Sequence, residues 1–287
     1  RNFARFYCKS LQNRAFSANF DCKSLQNRGF SRKLLLLELY HTAGIFSTPI
    51  ILFCVIAKVF LLTKVICCDK IKKNGRTIFM NDIIGTALGP LATNCYIVPG
   101  DADNAIVIDP ASSGEVEALL SSNDLKAGAI IITHGHFDHF AGVARLRELY
   151  GAPVYAPELD REMLASESKS WAWFMHGIDF TPIVPDVFFE NGESFSVCGV
   201  EFSVMGAPGH TAGSCLLFCK QFGAVFTGDV LFKNGCGRTD GFSGSDRCMA
   251  QSLRDIARIP GNYYVYPGHG EQTTLSAEKA RIGVYDY

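Results

Sequence analysis

The chain has 287 residues, enough for one large domain or two small ones, and its 48% hydrophobic and 19% charged content is that of a globular protein. A net charge of −1 gives no electrostatic case for nucleic acid or an anionic membrane as the main partner. The 11 cysteines include no Cys-x-x-Cys pair, so zinc-ribbon and thioredoxin-type motifs are excluded, and they read as free thiols in a reducing cytoplasm.

Residues 1–75 differ in texture from the rest. "CKSLQNRAFS" from Cys8 recurs as "CKSLQNRGFS" from Cys22, a repeat with a period of 14 that is too short for a solenoid unit. Residues 1–40 carry 8 Lys/Arg against 2 acids. An apolar run follows from Ala43 to Ala57 and extends to Cys68, interrupted by Lys58 and Lys64. Its 15 uncharged residues fall short of the ~20 that a spanning helix needs. It also lies late for a cleaved signal peptide. The segment therefore reads either as a non-native or disordered extension, since the repeat looks like translated repetitive DNA, or as a membrane anchor built on 43–68. Met80 stands where the globular pattern begins and would make a natural start.

From about Thr77, short β-rich runs alternate with helical ones, and residues 76–287 read as one domain. Predicted strands include "TIFMNDII", "NCYIV", "NAIVID", "AGAIIIT", "PVYA", "SFSVCGVEFSVM", "SCLLFC", "AVFTGDVLF" and "YYVYP". Predicted helices lie in "GEVEALLSS", "FAGVARLRELYG", "PELDREMLA", "SDRCMAQSLRDIARI" and "TTLSAEKARI", with Ser112 and Ser113 as a start signal and Gly151 as a stop. Sheets covered by helices make an α/β (or α+β) layered domain. Cys215 and Cys219 share one face of a strand.

The chemistry concentrates in "THGHFDH", Thr133 to His139, which holds three of the chain's seven histidines. His134 and His136 are two apart, so in an extended segment both point the same way and can grip one ion. Asp138 and His139 lie past a turn. His210 in "APGHTAGS", Asp229 in "VFTGDVLF" and His269 in "VYPGHGE" each follow an apolar run in a glycine-rich loop, where strand-end sites are built. These make seven candidate ligands. One ion needs three or four, so the surplus argues for two, and a carboxylate such as Asp229 has two oxygens with which to bridge them.

This ordered set resembles the metallo-β-lactamase superfamily. "GPLATNCYIV", "IDPASS", "GCGRTD" and "YPGHGEQTT" resemble its glyoxalase II-like (hydroxyacylglutathione hydrolase-like) branch, over roughly 78–282. The resemblance implies a four-layer αββα sandwich with a dinuclear site at one edge of the sheets. It places His134, His136 and His210 on one metal, Asp138, His139 and His269 on the other, and Asp229 between them. Two divalent ions are implied, with Zn2+ as the default; Fe or Mn suits the same donors. The implied reaction is hydrolysis of a small-molecule thioester by a metal-bridging hydroxide, with Asp138 orienting it and taking its proton. The implied location is cytoplasmic. No Ser-His-Asp or Cys-His arrangement competes as a nucleophile.

Secondary candidates surround this set. Asp109 is expected to accept a hydrogen bond that steadies the ligand loop. Arg238 could bind a substrate carboxylate or pin its own loop through Asp240. Asn94 and Tyr96 read as strand packing. His176 sits in an aromatic insertion and reads as an ordinary histidine; His41 belongs to the extension. Glyoxalase II carries a C-terminal helical domain that grips glutathione, whereas 18 residues follow His269 here, which leaves the substrate open. Persulfide dioxygenases, mononuclear iron oxidoreductases, share "GCGRTD" but end in a PAHD-like motif where this chain has "PGHG". One β-lactamase class carries Cys where Asp229 stands, and an RNA-processing nuclease would want a basic arm that is not visible.

Overall fold

The computed structural model describes residues 70–73, 76–79, 83–175 and 177–282. The repeat, the apolar run 43–68, Met80, His41 and His176 lie outside the described residues. The first described element is a hairpin in which β1 (Lys70–Lys73) pairs antiparallel with β2 (Arg76–Phe79). The boundary expected between 75 and 76 falls between these two strands.

Two six-stranded sheets follow in sequence. The first has the order β3 (Ile84–Leu88), β4 (Thr93–Pro99), β5 (Asn104–Ile108), β6 (Lys126–Ile131), β7 (Val154–Pro157) and β8 (Val187–Phe189). Its first two pairings are antiparallel and the remaining three parallel. The second runs β9 (Ser194–Val197), β10 (Val200–Gly206), β11 (Cys215–Cys219), β12 (Ala224–Gly228), β13 (Tyr264–Pro267) and β14 (Thr273–Thr274). It is antiparallel except between β12 and β13.

Alternation along the strands sorts the core into three apolar layers, because successive side chains point to opposite faces. Tyr96, Val98, Ile106, Ile108, Ala129 and Ile131 face the second sheet and pack on Phe202, Cys215, Leu217, Cys219 and Phe226. Their neighbours Ile97, Val107 and Ile130 turn outward. There they meet α1 (Ser113–Ser122) through Val116 and Leu120, and α3 (Val143–Tyr150) through Val143 and Leu146. On the far side Leu216, Val225 and Val265 meet α5 (Asp246–Ala257) through Met249, Leu253 and Ile256, and α6 (Leu275–Ile282) through Leu275 and Ile282. Each buried Phe or Leu contributes roughly 1.5–3 kcal/mol relative to exposure, so this double-sided patterning drives the layering. The architecture is the expected αββα sandwich.

Some boundaries differ from the sequence reading. "SFSVCGVEFSVM" forms two strands, because Cys198 (φ 49°) and Gly199 (φ 73°) make a two-residue turn that pairs Val197 with Val200. Thr273 and Thr274, read as helix, pair with β13 before α6 begins. Gly151 (φ 63°) ends α3 as expected. Among the described residues no helix is long and apolar enough to cross a membrane.

The two sheets are also joined at one end. The Asn94 backbone N–H donates to the Gly268 carbonyl (2.7 Å). Its side-chain amide donates to the Pro267 and Gly270 carbonyls (2.9 Å each). The Tyr96 hydroxyl donates to Pro267 as well (2.7 Å). Asn94 and Tyr96 thus pack and bind backbone, fixing the loop that carries His269.

Candidate metal centre

The seven donors gather at this joined end. β6 ends at Ile131, and His134 follows in a bend rather than the extended segment expected. His136 is extended (φ −82°, ψ 139°), and the one-turn helix α2 (Phe137–Phe140) turns Asp138 and His139 back toward them. His210 lies in the loop between β10 and β11, Asp229 directly follows β12, and His269 follows β13. All but His269 are buried. Gly268 permits the convergence: a Cβ there would lie 2.1 Å from Asp229 Oδ1 and 2.7 Å from His139 Cε1.

His134 Nε2, His136 Nδ1 and His210 Nε2 form a triangle with sides of 3.1, 2.8 and 3.2 Å. The far nitrogens show which atoms carry protons. His210 Nδ1 donates to the Arg238 carbonyl (2.7 Å). Thr133 gives its hydroxyl proton to Asp109 Oδ2 (2.7 Å), so its oxygen accepts from His134 Nδ1 (3.1 Å). The Nε2 lone pairs of both histidines therefore face each other across the triangle, an arrangement that suits a cation. Tetrahedral bonds of 2.0–2.1 Å set ligand nitrogens about 3.3 Å apart, close to this triangle.

The second set adjoins the first. Asp138 Oδ2 lies 3.4 Å from His139 Nε2 and 3.3 Å from His269 Nε2. Asp229 faces both sets: Oδ2 is 3.5 Å from His210 Nε2 and from His269 Nε2, and Oδ1 is 3.5 Å from His139 Nε2. His139 Nε2 and Asp229 Oδ1 are buried without a hydrogen-bond partner among the described residues. Orphaned buried polar atoms are costly, and a bound cation satisfies both.

The electrostatics separate the two sets. Burial, aided by the neighbouring imidazoles, holds His134 well below its ordinary range and lowers His136 to about 3. Both are neutral, as ligands must be. Burial also acts to lower His139, but Asp138, Asp109 and Asp229 together outweigh it and raise it to about 10. His269 is raised too: burial lowers it, and the hydrogen bond to Asp138 together with the charges of Asp229 and Asp138 outweighs that. Burial pushes Asp138 up, yet His139, His269 and Thr93 hold it well below the usual carboxylate range. The second set is thus a charged network in which an ion would take the place of protons.

Asp109 (φ 52°) accepts from the Thr133 N–H (2.8 Å) and from His139 Nδ1 (2.9 Å), which aims Nε2 inward. Arg238 pairs bidentately with Asp240 (2.5 and 2.6 Å), the loop-pinning alternative, and both are exposed. Three residues escaped the sequence reading. Thr93 donates to Asp138 Oδ2 (2.6 Å). Asp160, fully buried, accepts hydrogen bonds from both loops that carry the first set. Trp171, from the aromatic insertion, stacks on His136. The one available signal was the insertion itself; Thr93 and Asp160 lie in ordinary strand-end text.

A layered αββα fold with two adjoining His/Asp donor sets at its sheet edge defines a metal-binding protein of metallo-hydrolase type. A family model for the metallo-beta-lactamase superfamily matches residues 88–269, and the chain belongs to that superfamily. The chain is 29% identical over 194 residues to the probable metallo-hydrolase YqgX of Bacillus subtilis, covering 67% of this chain and 92% of that protein. It is 32% identical over 193 residues to the hydroxyacylglutathione hydrolase GloC of Haemophilus influenzae, covering 65% and 89%. Among solved structures it resembles BLEG-1, a B3 metallo-beta-lactamase (31% identity, TM-score 0.65, covering 69% and 96%). It also resembles TTHA1623 in a di-iron-bound form (33%, 0.62, covering 70% and 98%) and ETHE1 from Myxococcus xanthus (27%, 0.54, covering 70% and 83%).

Proposed function

We propose that the protein is a dinuclear metal-dependent hydrolase of small thioesters such as S-(hydroxyacyl)glutathione, acting in the cytoplasm. The observation that carries this reading is Asp229, whose two oxygens face both donor sets at 3.5 Å. The likeness to GloC supports the thioester class. Zinc suits the histidine-rich first set; iron suits both sets, in keeping with the di-iron form of TTHA1623.

His134, His136 and His210 would hold one ion, Asp138, His139 and His269 the other, with Asp229 shared. Two divalent ions would supply a water that is nucleophilic at neutral pH and a positive centre for the carbonyl oxygen. The chain's own residues do the rest. Asp138 is kept ionised and fixed by the Thr93 hydroxyl at 2.6 Å, so it can orient the incoming water and accept its proton. Asp109 fixes the His139 ring, and the Arg238 carbonyl fixes His210. Addition of the water oxygen to the thioester carbonyl carbon is followed by cleavage of the C–S bond. A thiol with pKa ~8.5 departs as thiolate, so no dedicated acid is required.

The likeness to BLEG-1 favours a second reading, β-lactam hydrolysis at the same centre. A third, mononuclear-iron persulfide oxidation, draws on the likeness to ETHE1. One experiment ranks them. The purified full chain is analysed for metal and assayed with S-lactoylglutathione, a chromogenic cephalosporin, and glutathione persulfide with oxygen uptake. Thioester cleavage by a protein holding about two ions per chain is expected. A fully dimetallated protein inert toward the thioester would sink the proposal.

A further inference from the structure

We infer that Asp160 is a positioning residue for the first metal set, holding the loop of His134 and His136 in register with the loop of His210. The inference rests on the metal-holding half of the proposed function and is independent of its substrate.

Asp160 ends a short 3-10 turn (Glu158–Asp160) that leads into α4 (Arg161–Leu164) beyond β7, and it is 0% exposed. It touches no metal donor. Its Oδ2 accepts from the backbone N–H of Gly135 (2.8 Å), the residue between His134 and His136. The same oxygen accepts from the Thr211 hydroxyl (2.6 Å), next to His210. Its Oδ1 accepts from the Gly213 N–H (2.7 Å). One carboxylate thus binds both loops that carry the first set, and none of these three bonds reaches the second.

The surroundings are built for that contact. Thr211 is oriented by Ser214: its N–H donates to Ser214 Oγ (3.0 Å) and the two hydroxyls lie 2.8 Å apart. With its own proton committed to Asp160, the Thr211 oxygen accepts from Ser214. A Cβ on Gly213 would fall 2.6 Å from Asp160 Cγ, so the glycine lets the loop close onto the carboxylate. The triangle of His134, His136 and His210 nitrogens has sides of only 2.8–3.2 Å, so a small slip between the two loops breaks its convergence. An ordinary strand-end carboxylate would bond within its own loop. Asp160 instead bridges segments 25 and 51 positions away.

The test is Asp160→Asn, which keeps the shape but turns an amide NH2 toward one of the donors now facing an oxygen. The full chain is loaded with Co2+ and followed by its visible absorption and by chelator competition, with His210→Ala and His269→Ala as reference spectra for loss of either set. The first ion is expected to bind about 10–100-fold more weakly, with a spectrum moving toward that of His210→Ala, while the second ion is retained. Thr211→Val, which removes a single donor, should shift the same ion in the same direction by less, and it decides the matter if Asp160→Asn does not fold. Leu253→Ala, on the buried face of α5, should lower Tm without weakening the first ion. Wild-type affinity and spectrum in both Asp160→Asn and Thr211→Val would overturn the inference. So would loss resembling His269→Ala, or an equal weakening in Leu253→Ala. Failure to cleave thioesters would leave all of these readings unchanged.

Discussion

The indole of Trp171 lies against the imidazole of His136, with ring centroids 4.5 Å apart and planes 10° from parallel. The Arg238 guanidinium sits 5.0 Å from the same indole. Trp171 therefore walls a ligand of the first set, and it does so from a left-handed backbone (φ 62°) that an L-residue holds only under constraint.

Removing this wall should separate binding from metal content. Trp171→Ala is expected to keep both ions and to raise KM, lowering kcat/KM about tenfold, the scale of a lost aromatic contact. Gly241→Ala should act in the same direction, since its Cβ would lie 2.7 Å from Trp171 Cζ2 and push the indole aside. Steady-state kinetics with metal analysis checks this. A loss of metal in Trp171→Ala would show that the ring supports the ligand rather than the substrate.

Asp109 offers a sharper probe of the second set. It carries positive φ, which Asn tolerates, so Asp109→Asn preserves the backbone while withdrawing one acceptor from Thr133 or His139. The second-set ion is expected to bind about 10–100-fold more weakly. Competition with a chromophoric chelator measures it, and unchanged affinity would remove Asp109 from any role in aiming His139.

The gathering of the seven candidate donors was legible because each stands in or beside a loop that follows an apolar run, and period-2 patterning places such loops at strand ends. The sandwich was legible for the same reason: Ile106 and Ile108 alternate with Ala105 and Val107 as a sheet covered on both faces requires. The supporting residues were not legible. Thr93 meets Asp138 across 45 positions and Asp160 meets Thr211 across 51, and no local spacing encodes such contacts. Arg238 had two chemically sound partners, a substrate carboxylate or its own Asp240, and only geometry shows the pairing with Asp240. Strand β8, three residues of "VFF", is too short to show a period and depends on pairing with β7.

The joint between the sheets should be separable from the metals. Tyr96→Phe removes the hydroxyl that donates to Pro267, whose carbonyl keeps the Asn94 amide as a donor. The cost is expected to be about 1 kcal/mol, read from denaturant unfolding, with both ions retained. Loss of the second-set ion would mean that the tie positions His269 more tightly than the three remaining Asn94 bonds can.

The two metal sets should respond differently to pH. His134 and His136 are held low by burial, so near neutrality the first ion displaces no proton from either. In the second set, burial lowers His139 but three carboxylates outweigh it and raise it from 6.5 to about 10, so an ion there must displace a proton. Its affinity should fall about tenfold per unit of acidification while one proton is exchanged, and mild acid should strip the second set first. The sign reverses for the metal-free fold. A folded value raised above the unfolded one contributes stability that is fully present below pH 6.5 and lost as pH rises through about 10. Chelated protein should therefore lose Tm across that window, and metal-loaded protein should lose less, because the ion takes over the proton's role. Metal analysis after dialysis at stepped pH, with melts in chelator, tests both halves. Release of the first set before the second would overturn this assignment of protons.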